Sequence, residues 1–378
     1  MSLRLLSPVR VGPFTLPNRV VMAPLTRSRA NSDGTPTALI AEHYRQRASA
    51  GLIVSEATLI SPQGRGTPDT PGLWSGAQVE AWRPAVAAVH GEGGRIFAQL
   101  WHVGRQSHPE LQPDGAAPVA PSAIAATGPV RTPGGVREFA MPRALTEDEI
   151  AATVADYGRA AARALDAGFD GVELHAANGY LIDQFLQDGA NSRKDLWGGP
   201  IGNRARFLFA ALDAVIAACG AERVGIRLSP HNVHGGISDS DAWAVHEHVV
   251  RGLAGRGLAY LHVIEPRTLP GGRHREGEAA NAAPRLRPLF DGPYIAAGGF
   301  GRDGAEALIA AGHADMVAFG RWFIANPDLV RRFAEDLPLN PYDRASFYTP
   351  GPAGYTDYPS WDEGPLAEGA GSPAGVAA

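Results

Sequence analysis

Short apolar runs alternate with stretches of helical periodicity along most of this 378-residue chain. The runs that predict strands are residues 20–23, 52–55, 95–100, 171–174, 224–228, 260–263, 294–297 and 316–319. Helical periodicity occupies residues 36–50, 76–90, 146–167, 202–219, 240–256, 302–312 and 326–336. Repeated alternation of strand and helix favours a parallel sheet closed into a barrel. We therefore predict a single (βα)8 TIM barrel.

Three segments do not fit the simple alternation. Residues 8–19 predict an N-terminal hairpin that covers the barrel floor. Residues 103–145 are rich in Pro, Gly and Ala and interrupt one βα unit, which indicates a long excursion after strand three. The next helix should begin with a capping box formed by Thr146 and Glu149. We expect one domain over residues 1–362, followed by a disordered Gly/Ala/Pro/Ser tail at 363–378.

Composition narrows the class of protein. The chain is 44% hydrophobic and 19% charged, an ordinary globular balance. A net charge of -5 and a pI near 6.2 give no basic footprint for nucleic acid. No run of about 18 apolar residues predicts a membrane span. The single cysteine, Cys219, excludes an intrachain disulfide and a cysteine-ligated zinc or iron–sulfur site. A cytoplasmic enzyme acting on small molecules fits these observations.

Polar residues and glycines cluster where the predicted strands end, which is where barrel enzymes place their active sites. Gly298 and Gly299 follow strand seven, and Gly320 and Arg321 follow strand eight. Backbone N–H groups of a glycine turn and an arginine fork both bind anions, so these four residues predict a phosphate site.

Three further strand-end residues suit a flavin ring. The Thr26 hydroxyl could hydrogen-bond a ring carbonyl, and the Gln99 amide matches the donor–acceptor edge of a pyrimidine. The Arg227 cation could stabilise negative charge on a reduced ring, although it could instead be a structural ion-pair residue.

The segment from His175 to Leu186 carries the most chemistry. It follows a buried strand and supplies an imidazole, an amide and a phenol within six residues, at His175, Asn178 and Tyr180. The first two could hold an oxyanion, and the third could give up a proton. His175 alone could be a satisfied core histidine and Tyr180 a core aromatic, but their combination favours an active site.

Other motifs have competing interpretations. Residues 299–304 match the GxGxxG spacing of a dinucleotide fold, but the acidic residue expected about 20 positions later is missing, so we interpret them as a barrel phosphate loop. The histidines at 231, 234, 246 and 248 lack organised carboxylate partners, and we expect no metal site. The Arg/Glu run at 273–278 predicts a solvated loop, or one that folds over the pocket to meet NADPH.

Five segments, 23–29, 98–105, 175–186, 319–329 and 354–359, resemble motifs of the old yellow enzyme family. These are FMN-dependent NAD(P)H:enone reductases, among them the N-ethylmaleimide and 12-oxophytodienoate reductases. The resemblance implies a barrel with non-covalent FMN. It places flavin contacts on Pro24, Leu25, Thr26, Ala57, Gln99, Arg227, Gly298, Gly299, Gly320 and Arg321.

The same resemblance implies substrate roles. It places oxyanion contacts on His175 and Asn178 and the proton donor on Tyr180. Tyr348 matches an active-site tyrosine and Trp101 a residue that shapes the pocket. Thr67 stands where many family members carry tyrosine, which leaves the substrate range open.

The implied activity is reduction of the C=C bond of α,β-unsaturated carbonyls and nitroalkenes, with NADPH or NADH as reductant. Two other classes compete with this hypothesis. A Rossmann-type NAD(P) dehydrogenase would need no flavin. A flavin-binding redox sensor would bind FMN without turning over enones, but it would not need a proton donor at Tyr180.

Overall fold

The computed structural model, described for residues 3–267 and 281–364, confirms the predicted (βα)8 barrel. Eight parallel strands are hydrogen-bonded in the order β3-β4-β6-β11-β12-β13-β14-β15, and β15 pairs with β3 to close the barrel. The strands are β1 (Val9–Val11), β2 (Phe14–Leu16), β3 (Val20–Met22), β4 (Leu52–Val54), β5 (Thr58–Leu59), β6 (Ile96–Trp101), β7 (Val119–Ala120), β8 (Pro129–Thr132), β9 (Gly135–Glu138), β10 (Arg143–Ala144), β11 (Gly171–His175), β12 (Val224–Leu228), β13 (Tyr260–Ile264), β14 (Tyr294–Ala297) and β15 (Met316–Phe319).

The helices follow the barrel strands in turn and pack around them. They are α1 (Ala38–Arg45), α2 (Gly76–Gly91), α3 (Glu147–Asp166), α4 (Leu181–Leu186), α5 (Ile201–Arg204), α6 (Arg206–Cys219), α7 (Ala242–Leu253), α8 (Ala283–Leu286), α9 (Arg302–Ala310), α10 (Arg321–Ala325) and α11 (Leu329–Glu335). Each predicted barrel strand is within one residue of its observed bounds. The predicted helical stretch at 202–219 is divided into α5 and α6. The short helices α4, α8 and α10 were not predicted, because four to six residues are too few to show a 3.6-residue period.

The predicted hairpin forms the barrel floor. Strands β1 and β2 pair antiparallel, and Val11 and Leu16 are buried against interior residues that include Phe97 and Tyr260. The turn needs glycine, since Gly12 has φ +52° and a Cβ there would lie 1.9 Å from the carbonyl oxygen of Glu222. This apolar hairpin closes one end of the barrel, so an active site can form only at the other end.

The excursion after strand three is also confirmed. It contains β7 to β10, including the antiparallel hairpin of β8 and β9. Glu110 holds this hairpin by accepting hydrogen bonds from the Thr132 hydroxyl at 2.7 Å and from the Gly134 N–H at 3.0 Å. The helix α3 then begins with the predicted capping box of Thr146 and Glu149.

Two predictions concern residues outside the described ranges. The Arg/Glu run at 273–278 lies entirely outside them, and so does the tail from residue 365 onward. Within residues 3–267 and 281–364, no helix is both long and apolar enough to cross a membrane.

Candidate active site

Three adjoining cavities open at the carboxyl ends of the barrel strands. The first has a volume of 660 Å³ and extends over the ends of β14, β15 and β3. The second, of 250 Å³, shares Pro24, Leu25 and Arg227 with the first. The third, of 220 Å³, shares Tyr180 and Tyr348 with the second. The cavities therefore form one continuous path. We call the first cavity its inner end, the second its middle and the third its outer end.

The inner end has the features expected of a phosphate site. Gly298, Gly299, Gly320 and Arg321 all line it. Gly298 and Gly299 have φ values of +148° and +73°, which L side chains rarely adopt. A Cβ at Gly320 would lie 3.2 Å from the Leu25 side chain, so glycine keeps this wall of the cavity open.

Two residues at this end were not predicted from the sequence. Arg344 and Tyr342 line the same cavity. The Arg321 Nη1 donates a hydrogen bond to the Tyr342 hydroxyl at 3.1 Å, and both guanidinium groups lie within 6 Å of the tyrosine ring. Neither residue had a sequence signal, because both lie in irregular chain after α11. Two cations beside a glycine turn suit a phosphate dianion.

The middle of the path contains polar groups that suit an aromatic, hydrogen-bonding ring. Thr26, Ala57 and Gln99 line this part. The Gln99 Nε2 donates to the Glu173 carboxylate at 2.7 Å. Arg227 is 8% exposed, and its Nε has no hydrogen-bond partner among the described residues. An unsatisfied buried donor of this kind fits a ligand that supplies an acceptor, as FMN does.

Of the two residues predicted to bind an oxyanion, His175 ends β11 and Asn178 lies on the hydrogen-bonded turn that follows it. Asn178 has φ +59°, a left-handed conformation that asparagine tolerates. Its backbone N–H donates to the Ser229 hydroxyl at 2.7 Å, and its carbonyl accepts from Gln106 Nε2 at 2.9 Å. These bonds preorganise the backbone of the turn that carries the Asn178 side chain.

His175 is neutral in this environment. Burial lowers the pKa of its imidazole well below 6.5, and the charge of Arg227 and the neighbouring His262 lower it further. The Nδ1 atom is buried without a hydrogen-bond partner among the described residues. His175 is thus not a satisfied core histidine, and it has hydrogen-bonding capacity left for a ligand.

Tyr180 stands between the second and third cavities. Its ring packs edge-on against Trp101 and His175, with centroids 5.1 Å and 5.0 Å away. Burial raises the pKa of the phenol above 10, Tyr348 raises it further and Arg227 opposes both. The phenol therefore keeps its proton at neutral pH. In contrast, Phe185 on the same segment stacks on Phe207 at 4.2 Å and belongs to the core.

The outer cavity is lined by Thr67, Trp101 and Tyr348, together with residues of the β8–β9 hairpin. Tyr348 is 46% exposed, and the Arg131 guanidinium lies 5.4 Å from the centre of its ring. Arg131 was not predicted, since a single arginine in a long excursion carries no signal.

All of the predicted site residues line one of the three cavities, although their individual roles stay predictions.

Comparison with known proteins decides the family. The sequence profile of the NADH:flavin oxidoreductase / NADH oxidase family matches residues 4–340. The chain belongs to the old yellow enzyme family. It is 46% identical over 367 residues to 12-oxophytodienoate reductase 1 of Oryza sativa subsp. japonica, covering 96% of this chain and 94% of that protein. It is 45% identical over 371 residues to 12-oxophytodienoate reductase 2 of Arabidopsis thaliana, covering 95% and 96%.

Solved structures agree with this assignment. Morphinone reductase superposes with a TM-score of 0.91 at 47% identity, covering 98% of this chain and 99% of that chain. The old yellow enzyme homologue from Zymomonas mobilis gives 0.90 at 46% identity, covering 94% and 99%. A further structure holds morphinone reductase with tetrahydroNAD, at a TM-score of 0.88 and 48% identity over 97% and 99% of the two chains.

This old yellow enzyme family member is therefore an FMN-dependent oxidoreductase that uses a nicotinamide nucleotide to reduce the C=C bond of enones. A Rossmann-type dehydrogenase is wrong on structural grounds, because the GxGxxG segment follows β14 of a closed barrel. Of its glycines, Gly299 lines the inner cavity, and Gly301 and Gly304 do not.

Proposed function

We propose that His175 and Asn178 bind the carbonyl oxygen of an α,β-unsaturated substrate and that Tyr180 protonates its α-carbon. One observation carries this proposal. A neutral imidazole with an unpartnered nitrogen, an amide on a hydrogen-bonded turn and a protonated phenol line the same 250 Å³ cavity. These groups lie beside the polar residues proposed to hold the flavin ring, so a substrate in this cavity can reach both.

The residues present fit FMN. Gly298, Gly299, Gly320 and Arg321 would hold the phosphate, with Arg344 as a second cation. Pro24, Leu25, Thr26, Ala57, Gln99 and Arg227 would contact the ring. When bound, FMN supplies the redox centre that accepts a hydride from the nicotinamide and delivers one to the alkene carbon.

His175 and Asn178 act on the carbonyl oxygen. A donor that meets this oxygen draws electron density from the conjugated double bond, and it binds the enolate-like transition state more strongly than the ground state. Burial, with the charge of Arg227 adding to it, lowers the pKa of His175, so the residue meets the substrate oxygen as a neutral hydrogen-bond donor. The two residues therefore polarise the alkene by hydrogen bonding.

Tyr180 supplies the proton. Its raised pKa means that the phenol is fully protonated at neutral pH and ready to act as an acid. Its ring is held by Trp101 and His175, so the hydroxyl has a defined direction. Since Tyr180 also borders the outer cavity, a proton can be replaced from solvent on that side.

The outer cavity favours bulky cyclic enones. The relatives named 12-oxophytodienoate reductase and morphinone reductase carry the names of such compounds. Thr67 contributes a small side chain to the wall that Trp101 and Tyr348 complete, which leaves room for ring substituents. Nitroalkenes, which present two oxygens to His175 and Asn178, are the second proposed class.

Deuterium labelling tests the reaction directly. We would supply 2-cyclohexenone with nicotinamide nucleotide deuterated at C4, and repeat the reaction with unlabelled nucleotide in D₂O. The nucleotide's deuterium should appear at the β-carbon and the solvent's at the α-carbon of cyclohexanone. Formation of the allylic alcohol, with label on the carbinol carbon, would show carbonyl reduction and refute the proposal.

A further inference from the structure

A buried network beneath the proposed flavin site includes two residues, Glu173 and His262, that have no role assigned above. It joins Gln99 on β6, Glu173 on β11 and His262 on β13. The Glu173 carboxylate accepts from Gln99 Nε2 at 2.7 Å and faces His262 Nδ1 at 2.8 Å. Gln99 is 1% exposed, and Glu173 and His262 are 0% exposed. A fully buried carboxylate is costly unless it is paired, so its presence in the barrel interior requires an explanation.

Strand register builds this network. Glu173 is the direct neighbour of Gln99 across β11 and β6, and His262 is the neighbour of Arg227 across β13 and β12. Residues paired directly across parallel strands have their side chains on the same face of the sheet, so Gln99 and Glu173 point to one side together, as do Arg227 and His262. Gln99, Glu173 and His262 are buried from solvent. Of the four residues, only Gln99 and Arg227 line the cavity above the network.

The protonation states follow from this arrangement. Burial opposes ionisation of Glu173, but His262, Arg227 and the Gln99 amide outweigh it, so the pKa of the carboxyl falls below its ordinary value. Burial lowers the pKa of His262, Glu173 opposes this and Arg227 adds to it, which leaves a neutral imidazole. Glu173 is then an anion that accepts from both neighbours, with the His262 proton on Nδ1.

We infer that Glu173 is a positioning residue that orients the Gln99 amide and, with His262, places a negative charge beneath the flavin. An amide has two distinguishable ends, and its N–H₂ is committed to Glu173 through one hydrogen. The Gln99 carbonyl oxygen is therefore left to accept from the ligand's ring N–H. The same negative charge offsets Arg227 and limits how strongly the site favours a reduced, anionic ring.

Two substitutions separate orientation from charge. Glu173→Gln removes the charge and lets the new amide donate to Gln99, which turns the Gln99 amide over. We expect FMN affinity, titrated on the apoprotein, to fall about tenfold. Binding of reduced FMN should strengthen about tenfold relative to binding of oxidised FMN. For a two-electron couple this corresponds to a midpoint potential about 30 mV more positive. Glu173→Asp keeps the charge, but its shorter side chain moves the carboxylate away from Gln99. FMN affinity should therefore fall, whereas the midpoint potential should stay within about 10 mV of the parent value because the charge is retained.

Asp170→Asn is the matched control. Asp170 directly precedes the same strand at the barrel floor, is 5% exposed and accepts from the Ile96 N–H at 2.9 Å. Its carboxylate pairs with Arg95 and lines none of the three cavities. Asp170→Asn therefore removes a buried charge away from the site, so FMN affinity should change less than twofold and the midpoint potential by less than about 10 mV. If Asp170→Asn changed FMN affinity and potential as much as Glu173→Gln does, Glu173 would contribute only to stability, and the inference would be overturned.

The inference rests on the proposed contact between Gln99 and FMN, which Gln99→Ala tests by itself. If Gln99→Ala leaves FMN affinity unchanged, the proposed contact is wrong. If it weakens binding while neither Glu173 variant alters affinity or potential, the contact stands and the positioning role fails. In the double variant Gln99→Ala with Glu173→Gln, affinity should match Gln99→Ala alone, whereas the shift in potential should persist. Should Glu173→Gln not fold, Glu173→Asp decides the orientation half of the inference.

Discussion

Replacing Tyr180 with phenylalanine separates acid catalysis from every other role of this residue. The ring contacts with Trp101 and His175 do not involve the hydroxyl, so phenylalanine retains the packing at 5.1 Å and 5.0 Å between centroids. What disappears is one phenol whose pKa is raised by burial and which is therefore protonated at all ordinary pH values.

The magnitude follows from the position of the hydroxyl. A positioned general acid contributes about 10²- to 10⁴-fold, equivalent to about 2.7–5.4 kcal/mol of activation free energy. Tyr180 also borders the outer cavity, so water can enter and replace the phenol as a poorer acid. We expect oxidation of the reduced enzyme by 2-cyclohexenone to slow within this range, and reduction by NADPH to remain near normal because it needs no proton from Tyr180. Hydride transfer to a nitroalkene should slow much less, because a nitronate is stable enough to leave unprotonated.

Anaerobic stopped-flow spectroscopy measures the two half-reactions separately. Tyr157→Phe is a suitable control, since Tyr157 is fully buried between α3 and α6 and its hydroxyl has no hydrogen-bond partner among the described residues. It should leave both half-reactions unchanged. If Tyr180→Phe slowed flavin reduction and enone reduction equally, Tyr180 would shape the pocket and would not be the acid.

Three further predictions test other parts of the site. Arg321→Ala should weaken FMN binding about 10- to 150-fold, because a charge-assisted hydrogen bond contributes about 1.5–3 kcal/mol; an unchanged titration of the apoprotein would reject the phosphate role. The double variant His175→Ala with Asn178→Ala should weaken phenolate binding by about 100-fold or more and abolish its charge-transfer band, unless the oxyanion site lies elsewhere. Burial lowers the pKa of His102 to about 3, below its unfolded value of about 6.5, so only the unfolded state takes up this proton as the pH falls from 6.5 towards 3. His102→Asn retains an acceptor for the Gly104 N–H. As the pH falls from 6 to 5, its free energy of unfolding should decrease less steeply than that of the parent, by about 1 kcal/mol per pH unit. Urea titrations at several pH values measure the two slopes, and equal slopes would contradict the prediction.

The sequence alone determined the barrel and predicted most of the residues that line the cavities at its open end. Parallel strands in a barrel are buried on both faces, so each one is a short apolar run, and the eight runs were located to within one residue. Strand ends were equally informative, because the carboxyl ends of parallel strands meet on one face. That geometry is why Thr26, Gln99, His175 and Arg227, separated by up to 201 positions in the chain, could be assigned to one site.

Only the tertiary structure showed how the site's charges are arranged. Glu173 and His262 alternate with apolar neighbours on buried strands, and nothing in their local sequence indicates that they meet across the intervening strand β12. Arg344 and Tyr342 reach the inner cavity from a segment after α11 in which no periodicity predicts the direction of a side chain. Hydrogen-bond partners, burial and the resulting pKa shifts depend on distances between distant segments. The local pattern fixes which strand a residue occupies and which way it alternates, but the neighbours that set its chemistry are fixed by barrel register and loop packing.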